Sequence, residues 1–186
     1  TQIICSDKTG TLTQNKMTVV DHYGDDEKLL AKAMALCCDA EIDANGKVTG
    51  EPTEAALVSY AYSLEMHKND LIASAPRIGE APFDSGRKMM STVHETADGI
   101  VQYTKGAPDE ILKKCKYALV GGSVVEITDE IKTAALKDNK RMADKALRVL
   151  ACAYKTYDSK PTDFDPEALE NDLIFIGLTG MIDPVR

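Results

Sequence analysis

The stretch 88–104 sets the firmest limit on the fold. Residues 88–95 and 100–104 are β-rich runs, and Asp98-Gly99 between them is a strong hairpin signal, so two strands pair antiparallel in mid-chain. The pattern recurs at 117–120 and 123–127, separated by Gly121-Gly122. Upstream the period changes. Leu29, Leu30, Ala33, Met34 and Cys37 fall at helical spacing within 27–40. Ala56, Leu57, Tyr60 and Leu64 share a face of a helix running from Pro52 to about residue 66. Further expected elements are a strand at 18–20, a turn at Asn45-Gly46 and a short helix at 108–112. A helix capped by Thr128 or Asp129 runs to residue 146, followed by strands at 147–153 and 173–177 and a short helix near Pro166. The interior is therefore α+β, a mainly antiparallel sheet of about six or seven strands with packed helices.

The two ends differ from this interior. Residues 1–6 and 173–177 are apolar strands with an aspartate beyond each, Asp7 and Asp183. Parallel α/β sheets place ligand-binding groups at such strand ends, so the ends are expected to form one unit with the middle inserted into it. The 22 Lys and Arg against 30 Asp and Glu give a net charge of -8, which argues against nucleic acid as a partner. No apolar run approaches the roughly 20 residues a membrane helix needs. The chain starts at Thr1 without an initiator Met or a signal-like segment, and is expected to be a soluble piece of a longer protein. Cys5, Cys37, Cys38, Cys115 and Cys152 include no C-x-x-C pair, which suits reduced thiols rather than a zinc site. His22, His67 and His94 lack metal-ligand spacing and read as structural or exposed. Met89-Met90 reads as strand packing.

The most informative string is Asp7-Lys8-Thr9-Gly10-Thr11-Leu12-Thr13. A carboxylate fixed at a strand end can attack phosphorus and form an acyl phosphate. Two anions must then meet, which calls for a cation such as Mg2+. Lys8 and the threonine hydroxyls supply donors, and Gly10 permits a tight turn of N–H groups. A plain Asp–Gly surface turn would also suit the bare composition. The seven residues together resemble the phosphorylation signature of the P-type ATPases, and the wider string from Cys5 to Met17 is similar to the calcium- and sodium-pump branches. The resemblance implies that Asp7 is the phosphorylated nucleophile, with Lys8 beside it, and that Asp7 and Thr9 bind Mg2+. Phosphatases of the wider haloacid-dehalogenase-like class carry an acid/base aspartate where Thr9 stands. A threonine has no useful pKa for that proton transfer, which favours a long-lived acyl phosphate.

Five further stretches fall in the family's order. Lys105-Gly106-Ala107-Pro108 puts a cation at a tight turn before a helix, and resembles the family's nucleotide-binding lysine motif. Phe83, one of three Phe, offers an adenine platform, and Lys88 five residues on resembles the pocket lysine. Ser85 stands where calcium pumps often carry an Arg, so that phosphate contact is absent or supplied by Arg87. Glu54, with Thr53 beside it, matches the family's acidic adenine contact, although a glutamate in a first helical turn also suits the helix dipole. Lys155 stands at a position read as the family's basic phosphate contact, while Arg148 suits packing or the surface equally well. Asp183-Pro184-Val185-Arg186 resembles the family's second hinge, with Val185 a departure, and implies that Asp183 and Arg186 approach phosphate and Mg2+.

The resemblance implies a nucleotide-binding domain at 19–176, flanked by stubs of a haloacid-dehalogenase-like α/β phosphorylation domain at 1–18 and 177–186. It implies ATP and Mg2+ as cofactors, delivery of the γ-phosphate to Asp7, and a transported cation, taken as Ca2+, held by membrane helices outside this chain. The remaining partners would be the phosphorylation, actuator and membrane domains of one multi-pass protein, with this domain cytoplasmic. The fragment is expected to bind nucleotide without transport or sustained catalysis. A haloacid-dehalogenase-like phosphatase, a nucleotide-sensing domain and an interaction module remain the alternatives.

Overall fold

A computed structural model describes residues 17–183. The elements in chain order are β1 (Thr18–Tyr23), α1 (Glu27–Leu36), β2 (Glu41–Ile42), β3 (Val48–Thr49), α2 (Pro52–Ser63) and α3 (Lys68–Ser74). There follow β4 (Arg77–Asp84), β5 (Met89–Thr96), β6 (Gly99–Gly106), α4 (Pro108–Lys114), β7 (Cys115–Val120) and β8 (Ser123–Glu126). The chain closes with α5 (Asp129–Asp144), β9 (Arg148–Tyr157), α6 (Pro166–Leu169) and β10 (Leu173–Ile182).

One 8-stranded sheet dominates, in the order β4-β5-β6-β9-β10-β7-β8, with β1 paired to the far half of β10. Every pairing in it is antiparallel except β10 with β7. This is the mixed α/β architecture anticipated, with one strand more than the expected count. The hairpin signals hold with a shift. Thr96 pairs with Gly99, so Ala97-Asp98 forms the turn and Gly99, at φ 129°, opens β6. Gly121 and Gly122 both adopt positive φ, as a tight two-residue hairpin turn requires.

Helices cover both faces of the sheet. The period-2 alternation of strand side chains decides which residue meets which layer. Met90, Tyr103 and Cys152 pack with Leu30, Met34 and Leu57 of α1 and α2. Met89, Ala151 and Ala153 pack on the other face with Ile111, Leu112 and Met142 of α4 and α5. The adjacent methionines thus serve opposite layers, as packing residues. Asp26 caps α1 by accepting from the Leu29 N–H, and Glu51 caps α2 by accepting from the Glu54 N–H. Cys37, Cys38, Cys115 and Cys152 are free and buried.

β10 and β4 depart furthest from expectation. β10 does not stop at Gly177 but continues to Ile182, paired to β9 and β1. Gly177 permits this because a Cβ there would lie 2.1 Å from the Tyr23 carbonyl oxygen. β4 has no counterpart in the expected pattern. Its burial does not alternate, Ala81 alone being buried, and it contains Pro82, which an edge strand tolerates. Among the described residues no helix is long and apolar enough to cross a membrane.

Candidate nucleotide pocket

Lys105 is the centre of the site. It lies near the end of β6, opposite Met90 on β5 and Cys152 on β9, and is 6% exposed. Its Nζ sits 3.1 Å from Glu54 Oε2 and 2.9 Å from Met90 Sδ. Burial works against the ammonium, but the Cys37 thiol and the Glu54 carboxylate together hold its pKa above the ordinary lysine value. Burial pushes the Cys37 thiol up as well. Glu54 stands in the first turn of α2, and its Oε1 accepts from the Asp39 N–H at 3.2 Å. The carboxylate thus joins the start of α2 to the segment after α1.

These groups open onto a cavity of about 480 Å3 lined by Asp39, Glu51, Thr53, Glu54, Phe83, Met90, Lys105, Gly106, Arg148 and Leu150. That volume lies in the range of small-molecule sites. Phe83 forms one side from the end of β4 and is 61% exposed, an unusual state for a large aromatic. Arg148, exposed at the start of β9, and Lys105 supply positive charge, while Glu51, Glu54 and Asp39 supply acceptors. The arrangement suits a flat aromatic ring with donor groups at its edge and an anionic tail.

Five residues singled out from sequence, Thr53, Glu54, Phe83, Lys105 and Gly106, meet in this cavity. Gly106 has a packing reason to be glycine. A Cβ would lie 2.3 Å from the Lys88 carbonyl oxygen and 2.8 Å from Met89 Cα, so the close approach is of β5 itself. Other residues stand elsewhere. Lys88 is exposed in the β4–β5 turn at φ 63° and does not line the cavity. Arg87 is engaged with Glu170, its Nε 2.7 Å from Oε1. Lys155 is seven residues beyond Arg148 in β9, roughly 23 Å along the strand. Its Nζ donates to the backbone and side-chain oxygens of Asn171, both at 3.2 Å, and burial lowers its pKa. Asp183 follows β10 directly. Asp7, Lys8, Thr9 and Arg186 lie outside the described residues.

Arg148, Asp39 and Glu51 are the polar lining residues sequence reasoning did not assign, beside the apolar Met90 and Leu150. For Arg148 a signal existed, since strand and residue were both legible, but only the β6–β9 register, which pairs Gly106 with Ala151, shows which end of β9 borders the pocket. A second cavity, about 500 Å3, lies on the other side of the segment following α1, lined by Lys68, Arg77 and His94 among others. Its cations are committed. Lys68 Nζ donates to the Cys38 and Ala40 carbonyls, and Arg77 pairs with Asp39 and Glu80. Among the described residues no group of three or more His, Cys, Asp or Glu side chains is arranged to hold a metal ion.

Comparison with known proteins bears on this site. Residues 27–186 match the family model described as P-type ATPase, cytoplasmic domain N. The chain is 43% identical over 199 residues to calcium-transporting ATPase 1 of Lactococcus lactis subsp. lactis (strain IL1403), covering 100% of this chain and 23% of that protein. It is 46% identical over 198 residues to calcium-transporting ATPase 1 of Bacillus cereus (strain ATCC 10987 / NRS 248), with 99% and 22% covered. It is 40% identical over 202 residues to the calcium-transporting ATPase lmo0841 of Listeria monocytogenes serovar 1/2a (strain ATCC BAA-679 / EGD-e), with 100% and 23% covered. The chain therefore spans less than a quarter of the length of these relatives.

Proposed function

Because the chain belongs to the P-type ATPase family, as its cytoplasmic nucleotide-handling domain N, we propose that its cavity binds ATP and presents the γ-phosphate for transfer to Asp7. Adenine stacks on Phe83, and its exocyclic amine donates toward the carboxylate of Glu54, with Thr53 beside it. Lys105 and Arg148 receive the phosphates, and Gly106 lets β5 and β6 close up beneath them. The observation that carries this reading is the meeting of an exposed aromatic, a paired buried lysine and a carboxylate in one cavity.

Strand register supports the direction of delivery. Met181 pairs with Arg148, and Ile182 pairs with Thr18. The cationic end of the pocket and both ends of the described chain therefore lie at one end of the sheet. Asp7 is eleven residues upstream of Thr18, and Asp183 follows Ile182 at that end. The boundary expected at Gly177 moves outward, since 177–182 pair with β9 and β1; a phosphorylation domain would take the chain before Thr18 and after Ile182, where Asp7 attacks the γ-phosphorus while the ADP oxygen leaves. Mg2+ would be held there by Asp7 and Thr9 together with the phosphates, neutralising charge between two anions. Asp183 and Arg186 would join that site as the domains close. Calcium is the proposed cargo, in keeping with the names of the three relatives, carried by membrane segments of the whole protein.

Titration calorimetry of the 186-residue chain with adenosine and ATP tests the binding step. Phe83→Ala is expected to weaken both ligands about fivefold or more, since one base–aromatic stack is worth ~1–3 kcal/mol. Lys105→Met is expected to weaken ATP far more than adenosine. Equal binding by wild type and Phe83→Ala would refute the pocket assignment.

A further inference from the structure

Arg87 follows Phe83 by four residues, and its guanidinium is spent on the protein. Nε lies 2.7 Å from Glu170 Oε1, and Nη2 lies 3.2 Å from Oε2. The same Nη2 donates to the carbonyls of Pro82 at 3.0 Å and Met89 at 3.1 Å. Those carbonyls bracket the turn between β4 and β5, one just before Phe83 and one just after Lys88. One side chain therefore ties both feet of the turn to a single carboxylate 83 residues away.

Glu170 is built to be an anchor. It is 3% exposed, in the connection between α6 and β10. Its Oε2 also accepts from Ser91 Oγ at 2.7 Å, and Ser91 Oγ lies 2.8 Å from Thr104 Oγ1. Gln102 Nε2 donates to Thr104 Oγ1 and to the Leu169 carbonyl, which closes the network back onto α6. Its members sit on β5, β6 and the end of α6, so the carboxylate is fixed by the body of the sheet. Phe83, in contrast, is mostly exposed and has little packing of its own to set the ring.

We infer that Arg87 and Glu170 are positioning residues for the pocket: their partly buried ion pair locks the segment 82–89 and so fixes the face that Phe83 offers to the base. This rests on the reading of Phe83 as the adenine platform. A direct contact of Arg87 with phosphate makes opposite predictions. It requires loss of ATP binding alone on substitution, and it gives Glu170, an anion, no favourable part. Positioning requires that both residues matter, for the base as much as for the triphosphate.

The test is calorimetric titration of the 186-residue chain with adenosine and with ATP, well below each variant's melting temperature, for wild type, Phe83→Ala, Arg87→Lys, Arg87→Met, Glu170→Gln and the Arg87→Met/Glu170→Gln double variant. Arg87→Met and Glu170→Gln are expected to weaken both ligands by the same factor, about three- to tenfold, with the double variant no worse than either single one. Arg87→Lys keeps the charge but not the fork, and is expected to behave like Arg87→Met. A 4-fluorophenylalanine at position 83 gives a second readout without ligand, its 19F line moving toward the free-solvent position in Glu170→Gln. Loss confined to ATP in Arg87→Met, or wild-type binding and an unmoved 19F line in Glu170→Gln, overturns the inference while leaving the pocket standing. Equal adenosine binding by wild type and Phe83→Ala overturns the pocket reading, and this inference with it.

Discussion

Lys105 and Gly106 show how one short string serves two masters. The lysine needs a paired, half-dry environment to hold a charge against burial, and Glu54 supplies it. The glycine beside it is forced by backbone geometry, because β5 passes within a Cβ's reach. A methyl group at Gly106 would meet main-chain atoms that cannot rotate away. Gly106→Ala is therefore expected to cost about 2 kcal/mol, as overpacking of a tight interior does. In a domain of this size that is a fall in melting temperature of roughly 4–8 °C, readable by differential scanning calorimetry. Phe83→Ala, at an exposed position, is expected to shift stability by less than about 0.5 kcal/mol while costing nucleotide affinity. A Gly106→Ala chain that melts like wild type would mean the β5–β6 approach is not the constraint.

At the scale of elements, α1 is the helix on which the pocket's placement depends. Its core residues Leu30, Ala33, Met34 and Leu36 are buried against the sheet, and the segment it feeds carries Asp39 to the cavity rim. Its first turn is closed by Asp26 Oδ1 accepting from Leu29 N at 3.0 Å. Asp26→Ala is expected to cost about 1 kcal/mol, and Asp26→Ser to recover most of it. Urea midpoints would measure both, and an Asp26→Ala midpoint equal to wild type would refute the cap's role. Sequence patterning revealed α1, α2, α4, α5 and α6 and the strands β1 and β5 to β10, through helical spacing, caps, turn residues and β-rich runs. It missed β2, β3, β4 and α3, which are short or lack a buried face. In β4 the neighbours on one side only leave both faces largely wet, and α3 is seven residues long, under two turns. The site followed the same rule. Thr53, Glu54, Phe83, Lys105 and Gly106 were legible as motifs, whereas the commitment of Arg87 to Glu170 and the distance of Lys155 depend on register and on a contact 83 residues apart in the chain.

For the whole molecule, His94 couples stability to the acidity of the medium. The ring is 1% exposed, between the end of α3 and the sheet. Nδ1 lies 2.8 Å from the Ala75 carbonyl, which only accepts, so Nδ1 carries the proton. Nε2 then accepts from the Thr92 hydroxyl at 2.8 Å. Burial lowers the pKa to about 4, the Ala75 hydrogen bond opposes that shift, and the positive charges of Arg77 and Lys68 add to it. The unfolded chain takes up a proton near the ordinary value of about 6.5 while the folded chain does not. His94 thus leaves stability intact above about pH 6.5 and removes it as pH falls toward about 4, by at most on the order of 3 kcal/mol. The carboxylate of Asp21, lowered by its bond to Arg141, adds to the same fall only at lower pH, below the ordinary carboxylate range. Urea unfolding from pH 7 to 4 is therefore expected to show a falling midpoint in wild type. His94→Gln should be less stable than wild type at pH 7, since it loses the ring's packing, yet flatter across that window. Parallel wild-type and His94→Gln profiles would show that the buried imidazole does not set the acid limit of the fold.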